Sequence, residues 1–222
     1  MKKAVIFDMY ETLITHYDTP LYFGIQMAED MGISKEDFLP LWRATEDDRT
    51  MGKSTLEEVV KKIMEENNCY TREVFDKIIF KRNETKKDLF NHLHPQIIPM
   101  LIALKEKGIK IGLISNCFSE EAYQIRKSIL IPYFDVVCLS YELGMKKPQS
   151  EIFEKCIKEL LVEARDCLYV GDGGSYELES ASSVGMEAVQ AVWYYKKEMG
   201  ALFEFKNEFK KVDKPLDIIN CI

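Results

Sequence analysis

The chain has 222 residues, of which 46% are hydrophobic and 30% charged, and carries a formal net charge of −7. This is the composition of a folded globular chain, and an acidic balance without a dense Lys/Arg block argues against nucleic acid or an anionic membrane surface as partner. No apolar run reaches the ~18 residues of a membrane span, and the run after Met1-Lys2-Lys3 is too short for a secretion signal, so a cytoplasmic protein is expected.

The first element is Ala4-Val5-Ile6-Phe7, a short buried-strand pattern that ends on Asp8. A carboxylate at the C-terminal tip of such a strand sits where open α/β sheets hold their ligands. Taken alone, it is equally a residue that caps a turn. Residues 15–90 have few strand signals and many helical ones. Residues 20–31 read as a helix stopped near Gly32. Ser34 with Asp37, Ser54-Thr55 with Glu57, and Thr71 with Glu73 mark three further helix starts. Four helices between the first and second core strands make an inserted bundle.

From Pro95 onward, strands and helices alternate. A helix over 97–107 ends at Gly108, and the strand Lys110–Ser115 closes on Ser115-Asn116. A helix over 119–128 leads to a strand over 134–140 and the loop Gly144-Met145-Lys146-Lys147-Pro148. A helix over 150–161 precedes the strand Cys167–Gly171, a glycine turn carrying Asp172, and a helix over 175–184 with Glu177 near its start. A strand over 187–193 follows, and residues 203–222 carry no readable pattern. This alternation predicts an α/β fold: a Rossmann-like parallel sheet with helices on both faces, plus an inserted helical-bundle cap. The expected boundaries are 1–14 and 91–222 for the core and 15–90 for the cap. The six cysteines form no CxxC pair, which suits reduced thiols better than a zinc ribbon or a redox motif. Cys138 and Cys167 fall inside apolar strands as small core residues, and Cys117, directly after Asn116, is a minor candidate for reactivity.

Strand-tip Asp8, strand-tip Ser115-Asn116, loop Lys147 and strand-tip Asp172 with Glu177 form an ordered set. It resembles the four motifs of the haloacid dehalogenase-like (HAD) hydrolase superfamily, over nearly the whole chain. The resemblance implies that Asp8 is a nucleophile, a role carboxylates play in aspartyl-phosphate enzymes. It implies Mg²⁺ held by Asp8, Asp172 and the backbone carbonyl of Tyr10, with Glu177 orienting metal-bound waters. Ser115 and Asn116 can donate hydrogen bonds to transferring oxygens, and Lys147, chosen over Lys146 because Pro148 follows it, supplies fixed positive charge. Lys146 is expected to be a solvated loop charge. The resemblance also implies a helical cap placed just after the first motif.

One position departs from the pattern of the phosphatases. Where many of them carry a second Asp two residues after the nucleophile, this chain has Tyr10, a phenol with pKa about 10 and a poor base at neutral pH. Tyrosine there resembles the dehalogenase branch, in which Asp attacks carbon and no metal is needed. The pair Asp172 and Glu177 still suits a cation. The expected function is a Mg²⁺-dependent phosphatase acting on a small phosphorylated metabolite. The alternatives are a 2-haloacid dehalogenase using the same Asp8 and a non-catalytic regulatory or binding member of the fold. Glu11, in place of a common glycine, is expected to face solvent. Arg43, Arg49 and Lys53 on the cap, and His16 and Tyr17 at its hinge, are candidate substrate contacts, together with Tyr10.

Overall fold

Strand β1 (Ala4–Phe7) is buried along its whole length, as expected of four apolar residues in the middle of a sheet. The computed structural model describes residues 2–196 and 203–222; Met1 and residues 197–202, which the predicted core boundaries include, lie outside the described residues. After β1 the chain leaves the sheet and forms α1 (Gly24–Met31), α2 (Lys35–Ala44), α3 (Glu46–Thr50), α4 (Leu56–Glu66) and α5 (Arg72–Asp88). It returns through α6 (Ile97–Glu106), β2 (Lys110–Ser115), α7 (Ser119–Lys127), β3 (Val136–Leu139), α8 (Ser140–Leu143) and α9 (Ser150–Leu160). It ends with β4 (Cys167–Gly171), α10 (Glu177–Ser183), β5 (Glu187–Ala191) and β6 (Lys210–Val212).

The six strands are all parallel, in the order β3-β2-β1-β4-β5-β6. The chain winds outward from β1 to one side and then from β4 to the other. The switch point therefore lies between the neighbours β1 and β4, where a crevice opens beyond their carboxyl ends. Alternate residues feed two separate cores. Val5, Phe7, Leu113 and Val170 face one layer with Met100 and Leu104 of α6, whereas Ala4, Ile6, Cys138 and Tyr169 face the other with Phe153 of α9 and Leu178 of α10. A third core fills the inserted bundle, built on Met27, Phe38, Val60, Ile63 and Ile78.

The predicted helix starts carry their caps. Ser34 and Thr71 accept from the backbone N–H groups of Asp37 and Val74, and Thr55 with Glu58 forms a reciprocal capping box. Helix α1 starts at Gly24, later than expected. The chain before it is the crossing from core to bundle, where Tyr22 is buried and donates to Asp30 at 2.7 Å. Short α3 and the three-residue edge strand β6 were not foreseen. β6 is paired only by its neighbour β5, and its Lys-Lys-Val sequence has no apolar alternation to announce it.

Buried charge joins the bundle to the core. Arg82 of α5 donates from Nε to Glu120 at 2.9 Å and from NH2 to Glu121 at 3.3 Å, both on α7. Lys86 of α5 bridges to Glu121 at 2.6 Å, and none of these four side chains is more than 7% exposed. Among the described residues, no helix is long and apolar enough to cross a membrane.

Candidate active site

Asp8 follows β1 directly, and its N–H bonds the Val170 carbonyl of β4 at 2.9 Å, which sets its carboxylate at the switch point. Asp172 occupies the matching place after β4. The turn behind it is held locally: Asp172 Oδ1 accepts from the Gly174 N–H at 2.9 Å. Glu177, at the start of α10, reaches back into the sheet. It can do so because residue 171 is glycine; a Cβ there would come within 2.0 Å of Glu177 Oε1. The result is a cluster of three carboxylates, Asp8, Asp172 and Glu177, whose oxygens lie within 4.8 Å of one another.

Lys147 is the cation in the middle of this cluster. Its ammonium, 4% exposed, bonds Asp8 and Glu177 directly, and the Lys147–Pro148 peptide is cis. Three carboxylates against one ammonium leave an excess of negative charge in a desolvated site. Burial, then repulsion from Glu177, pushes Asp8 up to about 7 despite Lys147, and burial with repulsion from Glu177 and Asp8 pushes Asp172 well above the usual carboxylate range. Hard oxygen donors short of positive charge are a fitting set for a small divalent cation.

Asn116 has a structural role beside the expected one. Its amide is used on the Lys147 backbone, with Nδ2 donating to the Lys147 carbonyl at 3.0 Å and Oδ1 accepting from the Lys147 N–H at 2.8 Å. It therefore aims the lysine loop, while still lining the cleft. Ser115 is fully buried, and its hydroxyl faces the Asn116 carbonyl at 3.3 Å rather than a cavity wall. Cys117 is buried, and burial pushes its thiol up, so it is no thiolate at neutral pH. All six cysteines are free.

Two joined cavities open at the cluster. The smaller, about 190 Å³, is lined by Asp8, Tyr10, Asn116, Lys147, Asp172 and Glu177 among others. The larger, about 500 Å³, shares Tyr10, Asn116, Lys147 and Ser175 with it and extends under the cap to Phe23, Trp42, Thr50, Arg82 and Lys86. Tyr10 stands at their junction. Its ring stacks on His16 at 4.8 Å, with the Lys86 ammonium 5.3 Å from the ring centre. Burial, with the Glu121 carboxylate nearby, pushes the phenol well above its ordinary value, so it stays protonated.

Several neighbours depart from the sequence expectations. Glu11 does not face solvent. It adopts a left-handed φ of 56°, the conformation that makes glycine common there, and its carboxylate accepts from Thr15 Oγ1 at 2.5 Å and from the His16 N–H at 3.0 Å. The His16 ring then bridges Glu11 at 3.1 Å and Lys86 at 2.7 Å. Burial and the Lys86 charge lower the His16 pKa, so the imidazole is neutral. Lys146 is not simply solvated: it pairs with Asp47 of α3 and lines the larger cavity.

Of the cap arginines, Arg43 lies exposed on α2 and lines neither cavity. Arg49 is buried, its guanidinium 3.6 Å from the Trp42 ring centre and 4.0 Å from that of Phe118, two walls of the larger cavity. Its NH2 donates to the Trp42 carbonyl and its Nε to Thr45, which leaves the buried NH1 without a partner.

Gln190, which no sequence signal marked, closes the site from behind. Its Nε2 donates to the carbonyls of Asp172 and Glu204, both at 2.7 Å, and its Oε1 accepts from the Lys206 N–H at 2.9 Å. The C-terminal segment without a readable pattern thus braces the Asp172 turn.

A parallel sheet with its switch-point crevice, a helical insert over that crevice and a carboxylate–lysine cluster inside define the class of the protein. The chain belongs to the haloacid dehalogenase-like hydrolase family, whose model matches residues 2–185. It is similar to a glyceraldehyde 3-phosphate phosphatase of Methanothermobacter thermautotrophicus, 27% identical over 199 residues, 85% of each chain. A protein of the same name from Methanocaldococcus jannaschii is 33% identical over 99 residues, 44% of this chain, and the match spans less than half of that relative, 43% of its length. In fold, the chain resembles the crystal structure of a 2-haloacid dehalogenase from Pseudomonas syringae pv. Tomato, with a TM-score of 0.70 at 18% identity over 99% of this chain and 97% of the other.

Proposed function

We propose that the protein is a Mg²⁺-dependent phosphatase that hydrolyses small phosphorylated metabolites through an aspartyl-phosphate on Asp8. The observation that carries this reading is the excess of carboxylate at the switch point: Asp8, Asp172 and Glu177 within 4.8 Å, with one ammonium bonded to the cluster among the described residues, that of Lys147. A carbon-attacking Asp8 could use one further carboxylate as base to the water that hydrolyses its ester, but three carboxylates against one ammonium suit a cation-assisted attack on phosphorus better. The phosphatases among its relatives support the same choice.

Asp8 attacks phosphorus, the bond to the leaving oxygen breaks, and the leaving group departs as its oxyanion into the larger cavity under the cap, to be protonated by solvent. Water then hydrolyses the acyl phosphate and frees Asp8. Lys147 holds Asp8 in place and offsets charge on the transferring group. Asp8, Asp172 and Glu177, with the Tyr10 carbonyl, would hold Mg²⁺, which when bound neutralises charge between nucleophile and phosphoryl oxygens. Arg82 and Lys86 of the cap line the larger cavity and are placed to meet an anionic or polar group of the substrate, whereas Arg49, packed against Trp42 and Phe118, lines neither cavity. Arg43, being exposed, is not so placed either.

The test is a panel of phosphate monoesters and 2-halo acids, each with Mg²⁺ and with EDTA. Phosphate release that EDTA abolishes and Mg²⁺ restores is expected. Halide release from 2-halo acids, unchanged in EDTA, would replace this reading with a dehalogenase. Failure to turn over either class, with no adduct on Asp8, would indicate a non-catalytic member of the family.

Tyr10 sets a second expectation. A protonated phenol held well above its ordinary pKa is a weak acid, so the leaving oxygen departs with most of its negative charge. Aryl and acyl phosphates should react well and simple alkyl phosphates poorly, with kcat/KM falling steeply as leaving-group pKa rises. Tyr10→Asp should flatten that slope. A shallow slope in the wild type would show that another group supplies the proton.

A further inference from the structure

We infer that Tyr169 is a positioning residue, which fixes Lys147 and Glu177 against the nucleophile from beneath the active site. Tyr169 lies on β4, three residues before Asp172, and pairs in register with Ile6 of β1, two residues before Asp8. Alternation along both strands turns Tyr169 and Asp8 to the same side of the sheet. The residue between Tyr169 and Asp172 on that side is Gly171, whose missing side chain leaves the slot that the Glu177 carboxylate fills. The tyrosine hydroxyl thus meets Glu177 at the floor of the cluster.

Its hydrogen bonds are complete and directional. Tyr169 Oη donates to Glu177 Oε2 at 2.8 Å and accepts from Lys147 Nζ at 3.4 Å. Glu177 Oε1 meanwhile accepts from the Gly173 N–H at 3.1 Å. An ammonium has three protons, and the three acceptors around Lys147 are Asp8, Glu177 and the Tyr169 hydroxyl. With all three directions assigned, one N–H is aimed at Asp8 and cannot swing toward Glu177. The ring itself is fully buried and packs edge-on against Phe153 at 5.4 Å, so the hydroxyl has little freedom to move. Phenylalanine would fill the same space but leave Lys147 one acceptor short and Glu177 one donor short. A buried group stripped of a partner shifts or reorients to find another.

The effect should fall on turnover rather than on binding, since Tyr169 lines neither cavity. The kinetic part of the test rests on the phosphatase reading, and the spectroscopic part does not. In protein labelled with ¹⁵N-lysine and free of substrate, the Lys147 ammonium is assigned by its loss in Lys147→Met. It should give a slowly exchanging signal in the wild type that shifts or broadens in Tyr169→Phe. With p-nitrophenyl phosphate and Mg²⁺, Tyr169→Phe should lower kcat about 10-fold or more and change KM less than about twofold, as expected for misalignment of reacting groups. Phe153→Leu disturbs the same packing without touching the hydroxyl and should leave kcat within about twofold of wild type. An unchanged Lys147 signal, a Tyr169→Phe kcat close to wild type, or an equal loss in Phe153→Leu would each overturn the assignment. If the wild type releases no phosphate from any ester, the phosphatase reading fails and the lysine signal alone decides the role of Tyr169.

Discussion

Asp8→Asn should lower turnover by more than ~1,000-fold while the protein melts at or above the wild-type temperature. The amide has the shape of the carboxylate and can keep the bond from Lys147, so the local geometry survives. What disappears is the nucleophile. Stability should not suffer, because the substitution removes one of three mutually repelling carboxylates from a buried site whose Asp8 is already pushed up to about 7. The pairing of lost activity with retained or raised stability is diagnostic, since a residue that acted only in packing would lose both. Steady-state kinetics and thermal unfolding on the same preparation check it. Activity within tenfold of wild type would remove Asp8 from the nucleophile role.

The second large effect is on the seam between the bundle and the core. Glu121→Leu should destabilise the protein by ~3–5 kcal/mol, the usual result of breaking a buried ion pair by deleting one partner. Glu121 accepts from both Lys86 and Arg82. After its removal Arg82 keeps Glu120 and the Tyr22 carbonyl, but Lys86 keeps only the neutral His16 ring. Burial alone would raise the Glu121 pKa, and the charges of Lys86 and Arg82 outweigh burial and hold it down at about 2. A depressed carboxylate contributes stability that is complete above its unfolded value and is lost as pH falls through its folded value. The stability gap between wild type and Glu121→Gln should therefore be largest near about pH 5, shrink toward about pH 2, and shrink again as pH rises to about 8, where buried Lys86 gives up its proton. The double variant Lys86→Met/Glu121→Leu should recover part of the loss, because no uncompensated ammonium remains. Denaturant titrations measure all three, and a Glu121→Leu loss below about 1 kcal/mol would mean that the seam is solvated and the cap only loosely seated.

The fold was legible because its strands are short apolar runs with chemistry at their tips. Ala4–Phe7 followed by Asp8, and Cys167–Gly171 followed by Asp172, each state locally both a buried strand and a ligand-side carboxylate. Neighbouring features were not legible because they depend on pairings across the chain. Asn116 looked like a substrate donor, and only the fold brings the Lys147 backbone to its amide, 31 residues away. Nothing local distinguishes Tyr169 within its apolar strand, and only the placement of Glu177 in the slot over Gly171 gives its hydroxyl a partner. Gln190 sits between Val189 and Ala191 in the buried part of β5, and its three partners lie on two separate loops. In the highly charged helix α5, composition does not mark Arg82 and Lys86 as buried. The available signal was their spacing: Ile78, Arg82 and Lys86 recur at i, i+4 and i+8 on the one face that is buried. Glu11 was misjudged because its side chain folds back onto the next turn, a local bond that composition does not reveal.

The most direct test is to trap the intermediate. Enzyme mixed with excess ³²P-labelled acyl or aryl phosphate and Mg²⁺ is quenched in acid on the millisecond scale, digested and mapped. Label is expected on the peptide that contains Asp8, released by hydroxylamine as an acyl phosphate should be, and absent in Asp8→Asn. Full turnover with label on no residue, or on a residue other than Asp8, would contradict the covalent mechanism proposed for this site.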